Sequence, residues 1–351
     1  MPAFFDNMLY RSKAPFRLGI AGGGTDLSPY CDIYGGAIVN VTIDRFAFAT
    51  IRPTDDGKVT FMHINENTCA TFDAAPELPL ASGLELQCGI YNSIVKRYND
   101  GKPLSLELTT QMDVPSGSGL GTSSTLVVAI LGAFTEWLHL PLGKYDIARY
   151  AFEIERVDLG FHGGKQDQYA ATFGGVNFME FQDAGRVIVN PLSIPDSLLN
   201  EWAMETVLLY TNKRRESSRI IEQQVANVKK NEKDSLEAMH NVKKEAFRIK
   251  QALLKGELSA LGEALNASWI NKKKMANGIS TDFIDQLYET AMAAGATGGK
   301  ISGAGGGGFM FFHCPGNTRY AVEKALGELG IGQIYDFEFC KEGLVTWTVN
   351  D

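Results

Sequence analysis

Apolar and polar positions divide the chain into short strand-like runs and longer helical periods. Ala37–Ile43 and Phe46–Ile51 are rich in Val, Ile and Phe, and Leu104–Thr110 alternates apolar with polar residues, so each predicts a strand. Thr122–Leu138 predicts a long apolar helix. The other predicted elements are helices at Gly89–Tyr98, Tyr145–Glu155, Leu261–Trp269, Asp282–Ala294 and Tyr320–Leu329, one or two helices within Ser217–Lys255, and strands at Val176–Phe181, Phe309–Phe312 and Leu344–Val349. Hairpins and helices that do not alternate strictly favour an α+β fold over a doubly wound parallel sheet.

A change in composition near Asn190–Asn200 marks the expected connection between domains. Pro191 and Pro195 lie in this segment, and the chain becomes charged and helical after it. A length of 351 residues fits two domains better than one small core or three domains. The sequence therefore predicts an N-terminal domain over residues 1–195 and a C-terminal domain over residues 196–351.

Charge and cysteine content narrow the class of protein. The formal net charge of -8 argues against binding to nucleic acid or to an anionic membrane, because both require a basic surface. The five scattered cysteines form no C-x-x-C pair and predict reduced thiols, and neither a signal peptide nor an apolar run of membrane-spanning length is visible. We therefore expect a cytoplasmic enzyme that acts on small molecules, as a monomer or a homodimer.

The segment Asp113–Ser124 carries the strongest chemical signal. It contains three glycines and five hydroxyl residues and directly precedes an apolar helix. Such a loop leaves backbone N–H groups free at the positive end of a helix dipole, which forms an anion site, and a nucleotide phosphate is the expected anion. The loop lacks a lysine and the Gly-Lys-Ser/Thr ending of the common nucleotide loop. The residues expected to bind the nucleotide are Pro115, Ser116, Gly117, Ser118, Gly119, Leu120, Gly121, Thr122, Ser123 and Ser124.

Three segments together resemble a known family. Ala14–Arg17 with Gly22–Asp26, then Pro115–Ser124, then Lys300–Gly308 are similar, in that order, to the first, second and third motifs of the GHMP kinases, the family of galactokinase, homoserine kinase, mevalonate kinase and phosphomevalonate kinase. The motifs span nearly the whole chain. The resemblance implies ATP as phosphoryl donor and a two-domain fold, with an N-terminal domain like domain 2 of ribosomal protein S5 and a ferredoxin-like C-terminal domain.

A narrower resemblance concerns the acceptor. Arg17–Tyr30 is similar to the sugar-binding start of bacterial D-glycero-D-manno-heptose 7-phosphate kinases, and fucose kinases have a related Gly-Gly-x-Thr-Asp element. This implies phosphorylation of a sugar at its anomeric hydroxyl, feeding nucleotide-activated heptose synthesis. The alternatives are a sugar 1-kinase for fucose or galactose and a non-catalytic sensor that binds sugar and nucleotide. A decarboxylase on the same fold fits poorly with the Gly-Thr-Asp element.

Two residues are expected to carry the catalytic step. Gly163–Gln168 is similar to the Met-Asp-Gln element of galactokinase, which implies that Asp167 is the catalytic base. A carboxylate that accepts or orients the hydroxyl proton is sufficient for phosphoryl transfer. Arg17 resembles the motif-one arginine beside that aspartate, where a fixed cation offsets charge on the transferred group. From local sequence alone, a helix-capping role for Asp167 would be the simpler interpretation.

The resemblance also implies a Mg²⁺ site. Ser123 matches the second serine of the family's Gly-Leu-Gly-Ser-Ser element, and Glu155 lies close to the position of its metal-binding glutamate. A hydroxyl and one carboxylate suit Mg²⁺, which takes its other oxygens from waters and phosphates. The hydroxyl ligand could be Thr122, Ser123 or Ser124, and the sequence leaves this choice open. Glu153 and Asp158 compete with Glu155 as the carboxylate ligand.

The acceptor sugar is expected to contact two glycine-containing segments. In the resembling families the aspartate at Asp26 binds sugar hydroxyls, and Gly24, Thr25 and Tyr30 are candidates beside it, with Asp44 a weaker one. The loop Gly303–Gly308 is implied to pack over the active site, so the candidates for contact with substrate there are Gly303, Gly305 and Gly306, with Ser302 offering a hydroxyl.

A phosphate on the sugar requires a cationic pocket. The basic clusters Lys213–Arg215 and Lys272–Lys274 are candidates, and Lys165 lies near the proposed base. His162 is a further candidate for contact with substrate. The sequence leaves the choice among them open.

Overall fold

The computed structural model of the chain describes residues 8–182, 185–213 and 217–350. Its strands fall into two sheets, of eight and four strands. The strands are β1 (Met8–Ala21), β2 (Gly36–Pro53), β3 (Lys58–His63), β4 (Thr68–Asp73), β5 (Leu106–Met112), β6 (Val176–Phe181), β7 (Val187–Pro191), β8 (Thr206–Tyr210), β9 (Gly298–Ile301), β10 (Phe309–His313), β11 (Gln333–Tyr335) and β12 (Val345–Asn350).

Helices separate many of these strands. They are α1 (Tyr30–Tyr34), α2 (Glu85–Tyr98), α3 (Thr122–Leu138), α4 (Lys144–Phe152), α5 (Gln166–Phe173), α6 (Asp196–Met204), α7 (Ser217–Lys229), α8 (Lys233–Lys255), α9 (Leu258–Lys272), α10 (Asp282–Ala293) and α11 (Arg319–Glu328), with a π-helical turn at Glu153–Asp158. The mixed arrangement confirms the α+β prediction. Within the described ranges, no helix combines the length and apolar character needed to cross a membrane.

The larger sheet has the order β12-β1-β2-β5-β3-β4, and β6 and β7 extend from β2. The two strands predicted on either side of Asp44 are one strand, β2. Its first part pairs with β6 and its second part pairs with β5. The pairing of β1 with β2 shifts register between Pro15 and Arg17 and again between Gly19 and Ala21. Such irregularities change where side chains point, and these lie beside Arg17.

Helix α3 is the buried helix behind Pro115–Ser124, the candidate phosphate loop. It packs against β1 and β2, and every residue from Ser124 to Phe134 is buried. An apolar surface all round is typical of a helix enclosed by other elements. The loop before α3 is therefore fixed to the rigid core of the larger sheet.

The smaller sheet has the order β11-β8-β10-β9 and is antiparallel. A separate apolar core forms around it, with Trp269, Met310 and Phe312 among its buried members. The last strand, β12, pairs with β1, so the end of the chain returns to the larger sheet. The division at residue 195 stays a prediction, and any such division must assign β12 to the first part of the molecule.

The helices near the site differ from the prediction in two ways. The helix predicted at Tyr145–Glu155 ends as α4 at Phe152, and a π-helical turn follows. Helix α5, which carries Asp167, was not predicted. A π-helical turn shifts the direction of its side chains relative to an α-helix, which a 3.6-residue period does not anticipate.

Candidate active site

The three motif segments meet at one cavity of about 410 Å³. Its wall combines the end of β1, the phosphate loop, the segment that leads into α5, helix α7 and the ends of α9 and β9. The lining residues discussed below are Arg17, Gly23, Gly24, Asp26, Gly117, Gly119, Gly121, Thr122, Ser123, Ser124, Glu155, Arg156, His162, Gly164, Gln166, Asp167, Gln224, Lys272, Lys300 and Gly303.

Arg17, which is buried, and Asp167, which is partly exposed, form an ion pair in this cavity. Nε and Nη2 of Arg17 donate to Oδ1 of Asp167 at 2.8 and 2.6 Å. Nη1 of Arg17 donates to the carbonyl oxygen of Gly119 at 2.8 Å and to Ser302 Oγ at 3.1 Å. The guanidinium therefore fixes the carboxylate, the phosphate loop and the third motif relative to one another. Among the described residues, no hydrogen bond reaches Oδ2 of Asp167, so this oxygen is available to a substrate.

The phosphate loop ends in a left-handed glycine at the start of α3. Gly121 has φ of 76° and precedes Thr122, the first residue of the helix. The amides of the first helical turn have no partner within the helix, and they lie at the positive end of its dipole. Gly117, Gly121 and Ser123 line the cavity. Such an arrangement is suited to binding anions through backbone groups and does not require a lysine in the loop.

The third-motif glycine loop packs on the phosphate loop. The amide of Phe309 donates to the carbonyl oxygen of Ser118 at 2.8 Å. A Cβ on Gly308, which has φ of +87°, would lie 2.1 Å from that oxygen. Gly308 is thus required for the close approach. Of the glycines predicted to contact substrate, Gly303 lines the cavity, whereas Gly305 and Gly306 pack against Ile279 and Ile220.

Glu155 is fully buried behind the start of α3 and accepts several hydrogen bonds. Ser123 Oγ donates to Oε1 at 2.6 Å and Ser124 Oγ donates to Oε2 at 2.6 Å. Gln168 Nε2 also donates to Oε2, at 2.7 Å. The Arg156 guanidinium lies 3.3 Å from Oε1 and supplies the opposite charge. The competitor Glu153 instead pairs with Arg97 at the surface.

The contacts of Thr122, Ser123 and Ser124 distinguish the three candidate hydroxyl ligands. Thr122 Oγ1 accepts from the amide of Gly117 at 3.3 Å. Ser124 Oγ is buried, with Gln168 Nε2 and Arg156 Nη2 each 3.1 Å away. Ser123 is less buried than either and has Glu155 as its partner. Among the three, Ser123 therefore has the hydroxyl best placed to reach a ligand in the cavity.

Asp26 lines the cavity and is held by two backbone donors. Its Oδ2 accepts from the amide of Gln166 at 3.1 Å, and its Oδ1 accepts from the amide of Gly24 at 3.2 Å. Burial raises the pKa of Asp26, repulsion from Asp167 raises it further, and the backbone donors lower it. A carboxylate held in this way can accept hydrogen bonds from sugar hydroxyls.

Gly164 controls the position of the Asp26 carboxylate. A Cβ on Gly164 would lie 1.9 Å from Asp26 Oδ2. We expect Gly164→Ala to displace this carboxylate and to raise KM for the acceptor by about 10-fold or more, because hydrogen bonds to charged groups contribute about 1.5–3 kcal/mol. KM for ATP should change little. Steady-state kinetics check this, with Gly327→Ala in α11 as control, since a Cβ on Gly327 has no atom within 4 Å. Equal acceptor KM values in the two variants would contradict the prediction.

Lys300 is a buried cation behind the ion pair. Its Nζ donates to the carbonyl oxygen of Gly19 at 2.5 Å. Burial lowers the pKa of the Lys300 ammonium well below its usual value, and repulsion from Lys272 and Arg17 adds to this. Lys300 therefore belongs to the part of the cavity that contains Arg17.

Other predicted residues lie away from the cavity. The Tyr30 hydroxyl is 2.8 Å from His240 Nδ1, and its ring packs on Tyr34, so it joins α1 to α8 and does not line the cavity. Thr25 Oγ1 donates to the carbonyl oxygens of Gly22 and Ala37 and supports the turn that presents Asp26. Asp44 accepts from the amide of Glu338 at 2.9 Å, far along β2 from the site.

The basic clusters are divided by the structure. Lys272 lines the cavity, whereas Lys273 pairs with Asp285 at 3.1 Å. Lys165 is buried beside Asp32 at 3.7 Å and is not among the lining residues. Lys213 lies over the ring of Phe283 at 3.9 Å. Arg214 and Arg215, the rest of the other cluster, lie outside the described residues.

A second cavity of about 400 Å³ adjoins the first at the phosphate loop. Gly117, Thr122 and Ser123 line both cavities. The wall of the second cavity includes the start of α2, the start of α3 and the end of β3, and Ser116 and Leu86 are among its residues. The remaining loop residues act through their backbone, because the carbonyl oxygens of Pro115, Ser118 and Leu120 accept hydrogen bonds from the amides of Ser118, Phe309 and Arg17, respectively.

Sequence reasoning missed four polar residues of the site, namely Arg156, Gln166, Gln168 and Gln224. Arg156 directly follows Glu155, and Gln166 and Gln168 flank Asp167, so the motif neighbourhood offered a signal for three of them. Gln224 lies in a charged amphipathic helix outside any motif, and only the packing of α7 against the cavity reveals it. His162 Nε2 lies 3.1 Å from Glu222 Oε1 and links the loop before α5 to the same helix.

Comparisons with known proteins show which family the chain belongs to. The family model described as the GHMP kinases N terminal domain matches residues 86–175, and the model described as GHMP kinases C terminal matches residues 249–332. The D-glycero-alpha-D-manno-heptose 7-phosphate kinase of Campylobacter jejuni is 46% identical over 339 residues, which cover 97% of this chain and 99% of that protein.

Solved structures show the same similarity. A D-glycero-D-manno-heptose 1-phosphate kinase from Bacteroides thetaiotaomicron matches with a TM-score of 0.82 and 42% identity, covering 97% of this chain and 100% of the other. A galactokinase from Lactococcus lactis in complex with galactose matches with a TM-score of 0.76 at 19% identity, over 96% and 95% of the two chains, which shows the shared fold alone. The chain therefore belongs to the GHMP kinase family, with the two-domain fold of that family.

Proposed function

We propose that this chain transfers the γ-phosphoryl group of ATP to the anomeric hydroxyl of D-glycero-D-manno-heptose 7-phosphate, giving the 1,7-bisphosphate. The observation that carries the proposal is the Arg17–Asp167 pair, which faces the phosphate loop across one cavity. The choice of sugar is supported by the 46% identical relative that is named for this substrate.

Asp167 is the proposed base. Arg17 binds its Oδ1 twice and neutralises its charge, which leaves Oδ2 to accept the proton of the attacking hydroxyl. Because phosphoryl transfer requires mainly positioning and charge stabilisation, this pair and the loop amides supply the main protein groups that the reaction needs. Arg17 also bonds Gly119 in the loop, so base and donor are held in one frame.

The backbone of Pro115–Ser124 is the proposed cradle for the ATP phosphates. The first turn of α3 lines the cavity, and the amides of a first helical turn, which lack partners within the helix, lie at the positive end of its dipole. The second cavity, directly beside the loop, offers room for the rest of the nucleotide.

The residues at the start of α3 fit a Mg²⁺ ion. Ser123 Oγ and Glu155 Oε1 lie 2.6 Å apart on the cavity wall, whereas Oε2 is bound by Ser124 and Gln168. Two protein oxygens suffice for an ion that keeps waters and binds phosphate oxygens. Bound there, Mg²⁺ would offset negative charge on the phosphates. Among the described residues, no three His, Cys, Asp or Glu side chains group as a metal site of their own.

The sensor alternative is less well supported, because the Arg17–Asp167 pair suits the transfer step, and the binding of sugar does not require it. Kinases for fucose or galactose remain the nearest alternatives in reaction type. The expected cytoplasmic location and the monomeric or dimeric state stay predictions.

ADP release with a panel of acceptors tests the proposal. The panel contains heptose 7-phosphate, heptose 1-phosphate, the unphosphorylated heptose, galactose and fucose. We expect the highest kcat/KM for heptose 7-phosphate and no turnover at C1 of heptose 1-phosphate, whose anomeric oxygen is blocked. Turnover of unphosphorylated hexoses alone would contradict heptose 7-phosphate as the acceptor, but it would still agree with a sugar kinase. Nucleotide binding without turnover of any sugar would favour a sensor.

A further inference from the structure

Two buried glutamine side chains line the cavity, and the proposed transfer step gives neither of them a role. Gln166 is the first residue of α5 and is 8% exposed, and its Oε1 has no hydrogen-bond partner among the described residues. Gln224 lies in α7 and is 2% exposed, and its Nε2 has no partner in the described part of the chain either. Because buried polar atoms in folded proteins are nearly always hydrogen-bonded, these two atoms point to a ligand in the cavity.

Both glutamines lie beside the backbone groups that hold Asp26. The main-chain amide of Gln166 donates to Asp26 Oδ2 at 3.1 Å. The amide of Gly24 donates to Asp26 Oδ1 at 3.2 Å, and a Cβ on Gly24 would lie 3.1 Å from Gln224 Oε1. The two amide side chains and the Asp26 carboxylate therefore lie in one region of the cavity wall.

The unpaired atoms indicate the chemistry of this ligand. They are one acceptor and one donor, and both side chains are uncharged. A phosphate oxygen offers no proton to the Oε1 of Gln166, whereas a sugar hydroxyl both donates and accepts and can pair with either amide. A hydroxyl that donates its proton to the carboxylate of Asp26 keeps lone pairs for a donor such as Gln224 Nε2. The three groups together therefore suit the neutral hydroxyls of a sugar ring.

We propose that Gln166 and Gln224 bind ring hydroxyls of the acceptor sugar, beside those that Asp26 binds, and contribute to the choice of acceptor. The proposal rests on the proposed function, because it assigns further contacts of the same substrate. Since Gln166 directly precedes Asp167, a sugar with its anomeric hydroxyl at Asp167 brings its ring hydroxyls close to this region. An acceptor that lacks the matching hydroxyl leaves a buried amide unpaired, which is how a polar site rejects an analogue.

Deoxy acceptors test the assignment in the full-length enzyme. Heptose 7-phosphate is compared with its 2-deoxy, 3-deoxy and 4-deoxy forms in the wild type, Gln166→Met and Gln224→Met. Each variant should lower kcat/KM for the complete acceptor by about 3- to 10-fold, the effect of one lost hydrogen bond, and leave KM for ATP nearly unchanged. Removing the hydroxyl that contacts the glutamine should cost the wild type a similar factor and the variant little more, because that contact is already absent.

Gln223→Met is the matched control, because Gln223 is the neighbouring residue of α7 and is not among the lining residues. It should leave kcat/KM for every acceptor unchanged. If each deoxy acceptor loses the same factor in a glutamine variant as in the wild type, the assignment of that glutamine is overturned while the kinase stands. A wild-type enzyme that phosphorylates no sugar would overturn the proposed function and this assignment together.

Unfolding in the absence of substrate separates a substrate contact from a structural one. Methionine keeps the length of the side chain and removes the unpaired amide, so neither Gln166→Met nor Gln224→Met should lower the free energy of unfolding. Chemical denaturation measures this, again with Gln223→Met as reference. A decrease in both cavity variants relative to the reference would show that the amides have partners within the protein, and it would overturn the proposal.

Discussion

Replacing Asp167 by Asn should lower kcat for sugar phosphorylation by about 10²- to 10⁴-fold, the usual contribution of a positioned general base. The amide cannot accept the hydroxyl proton through Oδ2, and it removes the charge that pairs with Arg17. ATP binding should remain nearly intact, because the proposed cradle for the phosphates is formed by the loop amides. ADP release measured against acceptor concentration gives kcat, and titration with a nucleotide analogue gives the affinity.

Asp158→Asn is the control for this variant. Asp158 lies in the π-helical turn and contacts Arg97 at the surface, 3.7 Å away, so its loss should leave kcat unchanged. An Asp167→Asn enzyme with turnover close to that of the control would refute the assignment of the base.

Replacing Glu155 by Gln should lower the free energy of unfolding by about 3 kcal/mol, because breaking a buried ion pair leaves its partner uncompensated. The new amide would also face donors from Ser123, Ser124 and Gln168, and at least one of these contacts would be lost. Chemical denaturation measures the stability. If Glu155 also holds Mg²⁺, turnover of the folded variant should require a higher Mg²⁺ concentration.

Glu153→Gln, in the same turn, is the matched control. Glu153 pairs with Arg97 at 2.8 Å on the surface, and exposed pairs of this kind contribute about 1 kcal/mol or less. An equal decrease in the free energy of unfolding in the two variants would show that the buried contacts of Glu155 stabilise the fold no more than the exposed pair of Glu153 does. An unchanged Mg²⁺ requirement in Glu155→Gln would remove Glu155 from the proposed metal site.

The motifs predicted which residues meet at the cavity because each one fixes a local backbone geometry. The glycines of Pro115–Ser124 and the helix after them predict a loop that turns into a helix N-terminus, and Gly121 makes this turn at the start of α3, where the anion site stays a prediction. The segment around Asp167 and the arginine at Arg17 meet as expected. The local motifs thus predicted a contact between residues that are distant in sequence. The contact forms because β1, which carries Arg17, and α5, which carries Asp167, both pack against the same core.

The other features of the site could not be predicted, because they depend on packing between elements that are distant in sequence. Tyr30 follows the sugar motif in sequence, yet the short helix α1 turns its ring toward His240. Gln224 lies outside every motif and reaches the cavity only because α7 packs over the cavity. The register of Ser123 and Ser124 could not be read from sequence either, because it depends on which face of α3 meets Glu155.

The position of the new phosphate on the product tests the central claim most directly. The account predicts that ³¹P–¹H correlation NMR after reaction of heptose 7-phosphate with ATP shows a second phosphorus coupled to the anomeric proton, while the phosphorus at C7 stays in place. A new phosphorus coupled to any other sugar proton would contradict the claim, as would ATP consumption without a bisphosphate product.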